Sequence, residues 1–374
     1  MMIHTFNQCE AVNMERLSTP QLLPGMVVAE DVLSFDRKLI LSQGTVLTDN
    51  LITKLDLYGV LTVYVEKMPV AEDTAAESET QDISYFERIQ NSPVFKKFKA
   101  DYELNVDSFQ DALNNMVERN IELDVNTLLQ NTLDMIAAGK GQIGILDMLQ
   151  NLREYDDSTF THSMNVGLIC NVLAGWLKFT PEQVELATAC GLFHDVGKLM
   201  IPHAIITKPG KLDTEEFALM QKHPITGYQM LQAQDVDEHV RNAALMHHER
   251  NDGSGYPMRL TGDQIDDPYA RMVAIADVYE AMTAARVYRG PLCPFRAIEI
   301  LEQDGLQKYD AQYLLTFMEN VANTYLQNRC RLSDGQLGEI IYINRDKLSR
   351  PMVRCGENYI NLADRPDLTI EELL

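Results

Sequence analysis

Two neighbouring residues of the kind that bind metals lie near the middle of the chain. His194 and Asp195 are followed three residues later by Lys198. A neutral imidazole is a common ligand of divalent metals, and a carboxylate is able to bridge two ions. If this segment is helical, Asp195 and Lys198 lie on one face at positions i and i+3. Taken alone the pair is a weak signal, so its meaning depends on ligands elsewhere.

Further candidate ligands are spread over more than a hundred residues around this pair. They are His162, His223, His247, His248 and Asp277. A single His at a helix end is ordinarily a capping or surface residue, and a lone Asp within a helix ordinarily faces solvent. Five His and two Asp in one helical region favour a different interpretation, because bundle cores bring distant residues together and commonly hold dinuclear sites.

Asp277 strengthens this interpretation. It lies within an apolar helical segment, where an unpaired buried charge is very costly and therefore needs a partner. His203 and His239 lack comparable neighbours, and we interpret both as structural or surface residues.

The elements that must position these residues are predicted to be mainly α-helical. Residues 145–329 contain one helical pattern after another, including helix starts at Thr180 and Asp213 that resemble capping boxes. This region is predicted to be a helical-bundle catalytic domain. Residues 1–66 predict a small α+β accessory or regulatory domain, with strands near 26–28, 38–41 and 60–65 and a helix over 48–58.

The segments on either side of the bundle differ in texture. Residues 67–144 predict an acidic linker, rich in Asp and Glu to about residue 82, followed by connecting helices. Residues 330–374 predict a C-terminal β extension, a hairpin or three-stranded patch that includes the strands Gly-Glu-Ile-Ile-Tyr-Ile at 338–343 and Tyr-Ile-Asn-Leu at 359–362.

Composition excludes several classes of function. The chain has 374 residues and a formal net charge of −23, from 32 basic and 55 acidic residues. Binding to a nucleic-acid polymer or an acidic membrane needs basic surface, so neither is expected. The six cysteines form no CxxC pair, and we expect reduced, mostly buried thiols. With no signal peptide and no membrane-spanning run, a cytoplasmic protein is expected. Oligomeric state is not predicted.

The ordered set of motifs resembles the HD-GYP phosphodiesterases, a branch of the HD phosphohydrolase superfamily. The matching segments are Thr-Phe-Thr-His-Ser-Met-Asn-Val at 159–166, His-Asp-Val-Gly-Lys at 194–198, His-Pro-Ile-Thr-Gly at 223–227, His-His-Glu at 247–249, Gly-Tyr-Pro at 255–257 and Asp-Val-Tyr-Glu-Ala-Met-Thr at 277–283. They follow the family's order and approximate spacing. The N-terminal segment resembles an accessory domain often found before this catalytic domain.

The resemblance implies two divalent metal ions, Fe or Mn being the expected choices for a mixed His and carboxylate set. One ion would be bound by His162, His194 and Asp277. The other would be bound by His223, His247 and His248, with Asp195 bridging the two. Some family members bind a third ion through a Glu at the position of Ser158, which is a poor ligand, so we expect a dinuclear centre, with a trinuclear centre as the alternative.

The implied substrate is cyclic di-GMP, cleaved to linear pGpG and in some members onward to GMP. Two ions can deprotonate a bridging water for attack on phosphorus, and Lys198 would hold a phosphate oxygen or order the water. Tyr256, Arg286 and Arg289 would contact substrate.

The chain departs from the family pattern at one of these segments. Family members commonly have Asp-Arg-Pro-Tyr-Arg-Lys where this chain has Ala-Arg-Val-Tyr-Arg-Gly at 285–290, so a hybrid substrate such as cyclic GMP-AMP remains an alternative.

Two other functions remain as alternatives. One is a signalling module that binds a cyclic dinucleotide, or a signalling protein partner, without hydrolysis. The other is an HD phosphohydrolase that acts on different nucleotides, against which the Gly-Tyr-Pro triplet at 255–257 speaks. The completeness of the seven-ligand set favours catalysis over both.

Overall fold

In the computed structural model the chain divides into two compact units, residues Met1–Gln81 and Asp82–Leu374. The structure describes residues 14–19, 22, 26–33, 39–47, 51–52, 55, 60, 62–66, 89–139, 144–152, 158–284 and 290–374. The predicted acidic stretch to residue 82 lies outside these ranges. The predicted domain boundaries within the second unit stay predictions.

The first unit contains two antiparallel strand pairs. Strand β1 (Met14–Ser18) pairs with β4 (Thr62–Glu66), and β2 (Val32–Leu33) pairs with β3 (Leu39–Leu41). Its core includes Val28, Leu47, Leu55 and Val63, which are almost completely buried. Residues 51, 52 and 55 are helical, in agreement with the predicted α+β character, and the rest of the predicted helix over 48–58 lies outside the described residues.

The second unit is mainly helical, as the sequence predicts. Its α-helices are α1 (Pro93–Arg119), α2 (Val125–Gly139), α3 (Ile145–Asn151), α4 (Thr159–Trp176), α5 (Pro181–Phe193), α6 (His203–Ile206), α7 (Thr214–Met220), α8 (His223–Gln232), α9 (Glu238–Met246), α10 (Pro268–Thr283), α11 (Pro294–Ile300), α12 (Leu306–Lys308) and α13 (Ala311–Thr324). Short 3-10 segments span Val196–Met200, Gly262–Gln264 and Leu362–Asp364, and a π segment spans Leu301–Gly305. Among the described helices none is long and apolar enough to cross a membrane.

Local sequence signals place the helix starts. Thr180 and Gln183 form a reciprocal capping box at α5, and Asp213 and Glu216 form another at α7, which confirms both predictions. Ser158 caps α4, since its hydroxyl accepts a hydrogen bond from the amide of Thr161. Helices α4 and α10 have apolar residues on nearly every side, which is typical of a helix buried all round.

Helices α4 and α5 approach closely at a pair of glycines. A Cβ on Gly191 would lie 2.7 Å from the Cα of Gly167, which is closer than such atoms can stand. The two backbones therefore pack without side chains between them. This contact matters for the site because α5 leads directly into His194, while α4 contains His162.

The C-terminal residues form a five-stranded antiparallel sheet, larger than the predicted hairpin or three-stranded patch. Its order is β8-β7-β6-β5-β9, with β5 at Arg329–Leu332, β6 at Leu337–Tyr342, β7 at Met352–Cys355, β8 at Asn358–Asn361 and β9 at Ile370–Leu373. Strands β7 and β9 have only four residues each, too short for a clear period-2 pattern. Cys330, Ile340 and Val353 belong to the same hydrophobic core as the helices.

The glycine contact gives a stability prediction with a matched control. Gly191→Ala should lower the free energy of unfolding by about 1–3 kcal/mol, because the added methyl group overpacks the α4–α5 contact. Gly175→Ala, at an exposed position of α4 with no atom within 4 Å of the added Cβ, should raise it by about 0.5–1 kcal/mol. Urea unfolding of both variants measures the difference. Equal midpoints would contradict the proposed packing.

Candidate metal centre

All seven predicted ligands come together in the second unit, six of them at the ends of four helices and the seventh within a fifth helix. His162 lies in the first turn of α4, His194 and Asp195 follow α5, and His223 begins α8. The pair at 247–248 follows α9, and Asp277 lies within α10. Two groups form that share one member: His162, His194 and Asp195, and Asp195, His223, His247 and His248. In each group the possible ligand atoms lie within 4.8 Å of one another.

The two carboxylate oxygens of Asp195 face different groups of histidines. Its Oδ2 lies 3.3 Å from His162 Nε2 and 3.3 Å from His194 Nε2. Its Oδ1 lies 3.3 Å from His223 Nε2 and 3.6 Å from His247 Nε2. The carboxylate is almost completely buried. This arrangement is the one that a carboxylate bridging two cations requires.

Asp277 completes the arrangement from helix α10. Its Oδ1 lies 3.2 Å from His162 Nε2, and its Oδ2 lies 3.8 Å from His248 Nδ1. Asp277 therefore stands between His162 of the first group and His248 of the second.

Backbone carbonyls fix the orientation of three of the histidines. The Nδ1 of His194 lies 2.7 Å from the carbonyl oxygen of Gly191, and that of His223 lies 2.7 Å from the carbonyl oxygen of Met220. His247 Nδ1 makes the same kind of contact with the end of α9. A carbonyl only accepts, so Nδ1 bears the proton in each ring. The Nε2 lone pair of each is consequently directed at Asp195, as expected for a metal-binding imidazole.

Several buried atoms lack a hydrogen-bond partner among the described residues. Three of them belong to the centre: His162 Nε2, His194 Nε2 and Asp195 Oδ1. Buried polar groups are normally satisfied, and a cation between these atoms would satisfy all of them. The donor set of imidazole nitrogens and carboxylate oxygens therefore fits divalent metal ions.

The protonation states of the histidines and of Asp195 also favour the binding of cations. Burial lowers the pKa of His247 to about 4 and lowers that of His248, so both are neutral at pH 7. Burial opposes ionisation of Asp195, but the neighbouring Lys198 and His194 outweigh it and hold the pKa of that carboxyl well below its usual range. Neutral imidazoles and ionised carboxylates are the forms that bind metals.

His162 differs from the other histidines. Burial opposes its protonation, but the charge of Glu280 and the nearby Asp195 and Asp277 outweigh burial and raise the pKa of His162 well above its usual value. A metal ion bound at Nε2 would replace the proton that this negative surrounding attracts.

A cleft with a volume of about 390 Å³ opens beside the centre. It is lined by Ser158, Thr159, His162, Lys198, Lys208, His248 and Asp277, among others. Lys198 Nζ donates to Asp195 Oδ2 at 2.5 Å and is about one-fifth exposed, so it stands between the bridging carboxylate and the cleft. Lys208 pairs with Glu216 at 2.5 Å.

The Gly-Tyr-Pro triplet packs against the second group of ligands. The ring of Tyr256 stacks on His248 with 4.6 Å between centroids. Glu249 is buried and accepts hydrogen bonds from the amides of Met258 and Leu260, so it ties this loop to the end of α9. Arg286 and Arg289, the other predicted substrate contacts, lie outside the described residues.

Two further histidines agree with their structural interpretation. His239 Nδ1 lies 2.7 Å from Asp267 Oδ2, and His203 is exposed at the start of α6. Ser158 caps α4 and lines the cleft.

Sequence reasoning missed three residues that stabilise the orientation of His162. Glu280 Oε2 lies 2.5 Å from His162 Nδ1, Asn165 contacts Glu280, and Tyr102 contacts Asn165. A signal for Glu280 was present: a second acidic residue stands three positions after Asp277 in an apolar helix, which places both on one face.

Comparison with known proteins identifies the matching region. Residues 147–313 match the family model of the HD domain. The chain is 36% identical over 208 residues to a cyclic di-GMP phosphodiesterase of Pseudomonas aeruginosa, covering 55% of this chain and 50% of that protein. It is 38% identical over 168 residues to 3'3'-cGAMP-specific phosphodiesterase 1 of Vibrio cholerae, covering 45% of this chain and 39% of that protein.

A further relative is a cyclic di-GMP phosphodiesterase of Vibrio cholerae, 31% identical over 219 residues and covering 52% of this chain and 44% of that protein. The chain thus spans half or less of the length of these curated relatives.

The pKa of His247 gives a pH prediction for the metal-free chain. As pH falls from 7 to 4, the unfolded chain protonates His247 below its ordinary pKa of 6.5, whereas the folded chain resists protonation until about 4. Stability from this group is present above pH 6.5 and lost on acidification, by up to about 3 kcal/mol.

The variant His247→Gln lacks this contribution. The free energy of unfolding of the chelator-treated parent chain should therefore fall relative to His247→Gln as pH decreases from 7 to 4. Urea unfolding at half-unit pH steps measures it. A difference between the two chains that is independent of pH would show that the folded state protonates His247 normally.

Proposed function

We propose, from the match of residues 147–313 to the family model of the HD domain, that the chain is a metal-dependent phosphodiesterase that hydrolyses cyclic di-GMP to linear pGpG. The observation that carries the proposal is the position of Asp195. Its two oxygens face two separate histidine groups, and one of those oxygens accepts a hydrogen bond from Lys198 at the cleft.

The proposed ligands are the seven residues of the centre. His162, His194 and Asp277 would bind one ion, and His223, His247 and His248 the other, with Asp195 shared. The mixed nitrogen and oxygen donors favour Fe or Mn. Bound divalent ions supply a water of lowered pKa as nucleophile and positive charge for the phosphate oxygens.

The chain's own residues define the reaction around these ions. Lys198 would hold a non-bridging phosphate oxygen or the attacking water from the cleft side, while its bond to Asp195 fixes its position. Tyr256 is held against His248, at the margin of the centre, where its ring would contact the substrate. Burial raises the pKa of its phenol, so Tyr256 remains neutral and acts as a hydrogen-bond donor or a stacking surface.

The substrate class rests on the names of the relatives together with the site. Relatives named for cyclic di-GMP and relatives named for 3'3'-cGAMP have similar identity to this chain. Hydrolysis of cyclic GMP-AMP is therefore the second candidate activity. Arg286 and Arg289 are the proposed contacts that would distinguish the two bases, since the sequence at 285–290 departs from the common family pattern.

We place the activity in the cytoplasm. Cys170, Cys190, Cys330 and Cys355 are free and buried, as expected for a chain that matures in a reducing compartment.

Loss of Asp195 tests the proposed metal centre directly. Asp195→Ala should lose both bound ions and at least about 10³-fold in hydrolysis of cyclic di-GMP, because each ion contributes several kcal/mol. Metal content of anaerobically purified protein and chromatography of the products measure both effects. His203→Gln, which removes an exposed histidine, should leave both unchanged. If the metal-replete parent chain leaves every cyclic dinucleotide intact, the proposal is wrong. Binding of a cyclic dinucleotide without product would favour the non-hydrolytic signalling module.

Lys198 has a role that separates chemistry from metal binding. Lys198→Met should lower kcat by about 10–100-fold, a loss of roughly 1.4–2.7 kcal/mol, while both ions remain bound. Lys97→Met, which removes an exposed lysine from α1, serves as the control. Steady-state kinetics and metal analysis of the same preparations check the result. If Lys198→Met releases the ions, Lys198 instead stabilises the metal-binding form of Asp195.

A further inference from the structure

A line of hydrogen bonds leads from the candidate metal centre to helix α1, outside the segment that matches the HD domain. Tyr102 Oη donates to Asn165 Oδ1 at 2.6 Å, and Asn165 Nδ2 donates to Glu280 Oε1 at 3.1 Å. The other oxygen of Glu280 accepts from His162 Nδ1 at 2.5 Å. In each of the three hydrogen bonds, from the Tyr102 phenol to the His162 imidazole, a donor is therefore matched with an acceptor.

Helices α4 and α10 each have two residues in the contacts around His162. His162 and Asn165 are three positions apart in α4, and Asp277 and Glu280 are three positions apart in α10, so each pair lies on one face. The His162 ring lies between the two carboxylates. Glu280 contacts its Nδ1, while Asp277 and Asp195 face its Nε2. The orientation of Glu280 therefore determines where Nε2 points.

Glu280 itself needs to be held. Tyr102, His162 and Glu280 are each less than 8% exposed, so solvent contributes little to their hydrogen bonding. A small cavity of about 30 Å³, lined in part by Asn165, Tyr279, Glu280 and Thr283, adjoins the carboxylate. Asn165, which also lines this cavity, donates to the carboxylate from this side. Tyr102, in turn, fixes the amide of Asn165.

We infer that Tyr102, acting through Asn165 and Glu280, is a positioning residue that sets the affinity of the metal ion at His162. The inference rests on the proposed function, in which His162 is a metal ligand. Hydrogen-bond partners behind a metal-binding histidine typically change metal affinity by about 10–100-fold. Helix α1 is thereby part of the functional site, and a displacement of α1 would reach His162 through three hydrogen bonds.

Removal of one hydroxyl group tests the inference. Tyr102→Phe in the full chain should weaken binding of one of two Mn²⁺ ions by about 10-fold, while the stoichiometry remains two. Isothermal titration calorimetry on chelator-treated protein measures the affinity. Tyr325→Phe, at a tyrosine buried beside Phe295, is the matched control and should bind Mn²⁺ as the parent chain does. An unchanged Mn²⁺ affinity in Tyr102→Phe overturns the inference.

A double-mutant cycle tests whether Tyr102 acts through Glu280. In a Glu280→Ala background, Tyr102→Phe should change Mn²⁺ affinity by less than about 2-fold, because the line is already broken. If Glu280→Ala does not fold, Glu280→Gln replaces it in the cycle. Fully additive losses would overturn the inference, since Tyr102 would then act by another route.

Activity measurements separate this inference from the proposed function. At saturating Mn²⁺, Tyr102→Phe should regain a kcat for cyclic di-GMP close to that of the parent chain, because full occupancy is restored. A parent chain that binds Mn²⁺ but hydrolyses no cyclic dinucleotide refutes the proposed function and leaves the affinity difference intact. A parent chain that takes up no Mn²⁺ refutes both.

Discussion

The second unit is built around one carboxylate that has been taken out of water. Asp195 is 1% exposed, and the neighbouring Lys198 and His194 hold the pKa of its carboxyl well below its usual range. Burial of an unpaired charge is so costly that a fold with this residue at its centre must supply the partners. The end of α5, the start of α8 and the end of α9 meet at Asp195 for this reason. Backbone carbonyls at the ends of α5, α7 and α9 orient the imidazoles of His194, His223 and His247.

Close backbone contacts make this convergence possible. Besides the contact of Gly191 with Gly167, a Cβ on Gly197 would lie 2.0 Å from the carbonyl oxygen of His223. The segment after Asp195 therefore lies directly against the start of α8. Ligands that are far apart in sequence become neighbours because small residues let the elements that contain them touch.

The sequence was sufficient to predict the helical character of the domain and the residues that gather at its centre. Ligand side chains have distinctive chemistry, and their order and spacing are informative without coordinates. The residues that hold the ligands in position by hydrogen bonds cannot be predicted in this way. Tyr102 and Asn165 are residue types that occur throughout proteins. Their role depends on which faces of two helices come into contact, and the two residues are 63 positions apart in sequence. The sheet was underestimated for a related reason: β9 pairs with β5 across some forty residues, and pairing at that distance leaves no local pattern.

The shared position of Asp195 has a thermodynamic consequence. An ion bound by His162 and His194 would withdraw charge from the same carboxylate that faces His223 and His247, so the occupancies of the two positions would not be independent. Such coupling is reciprocal: whatever the first ion does to the affinity of the second, the second does to the first. Two ions bound at such a centre would therefore bind cooperatively, with a positive or a negative sign.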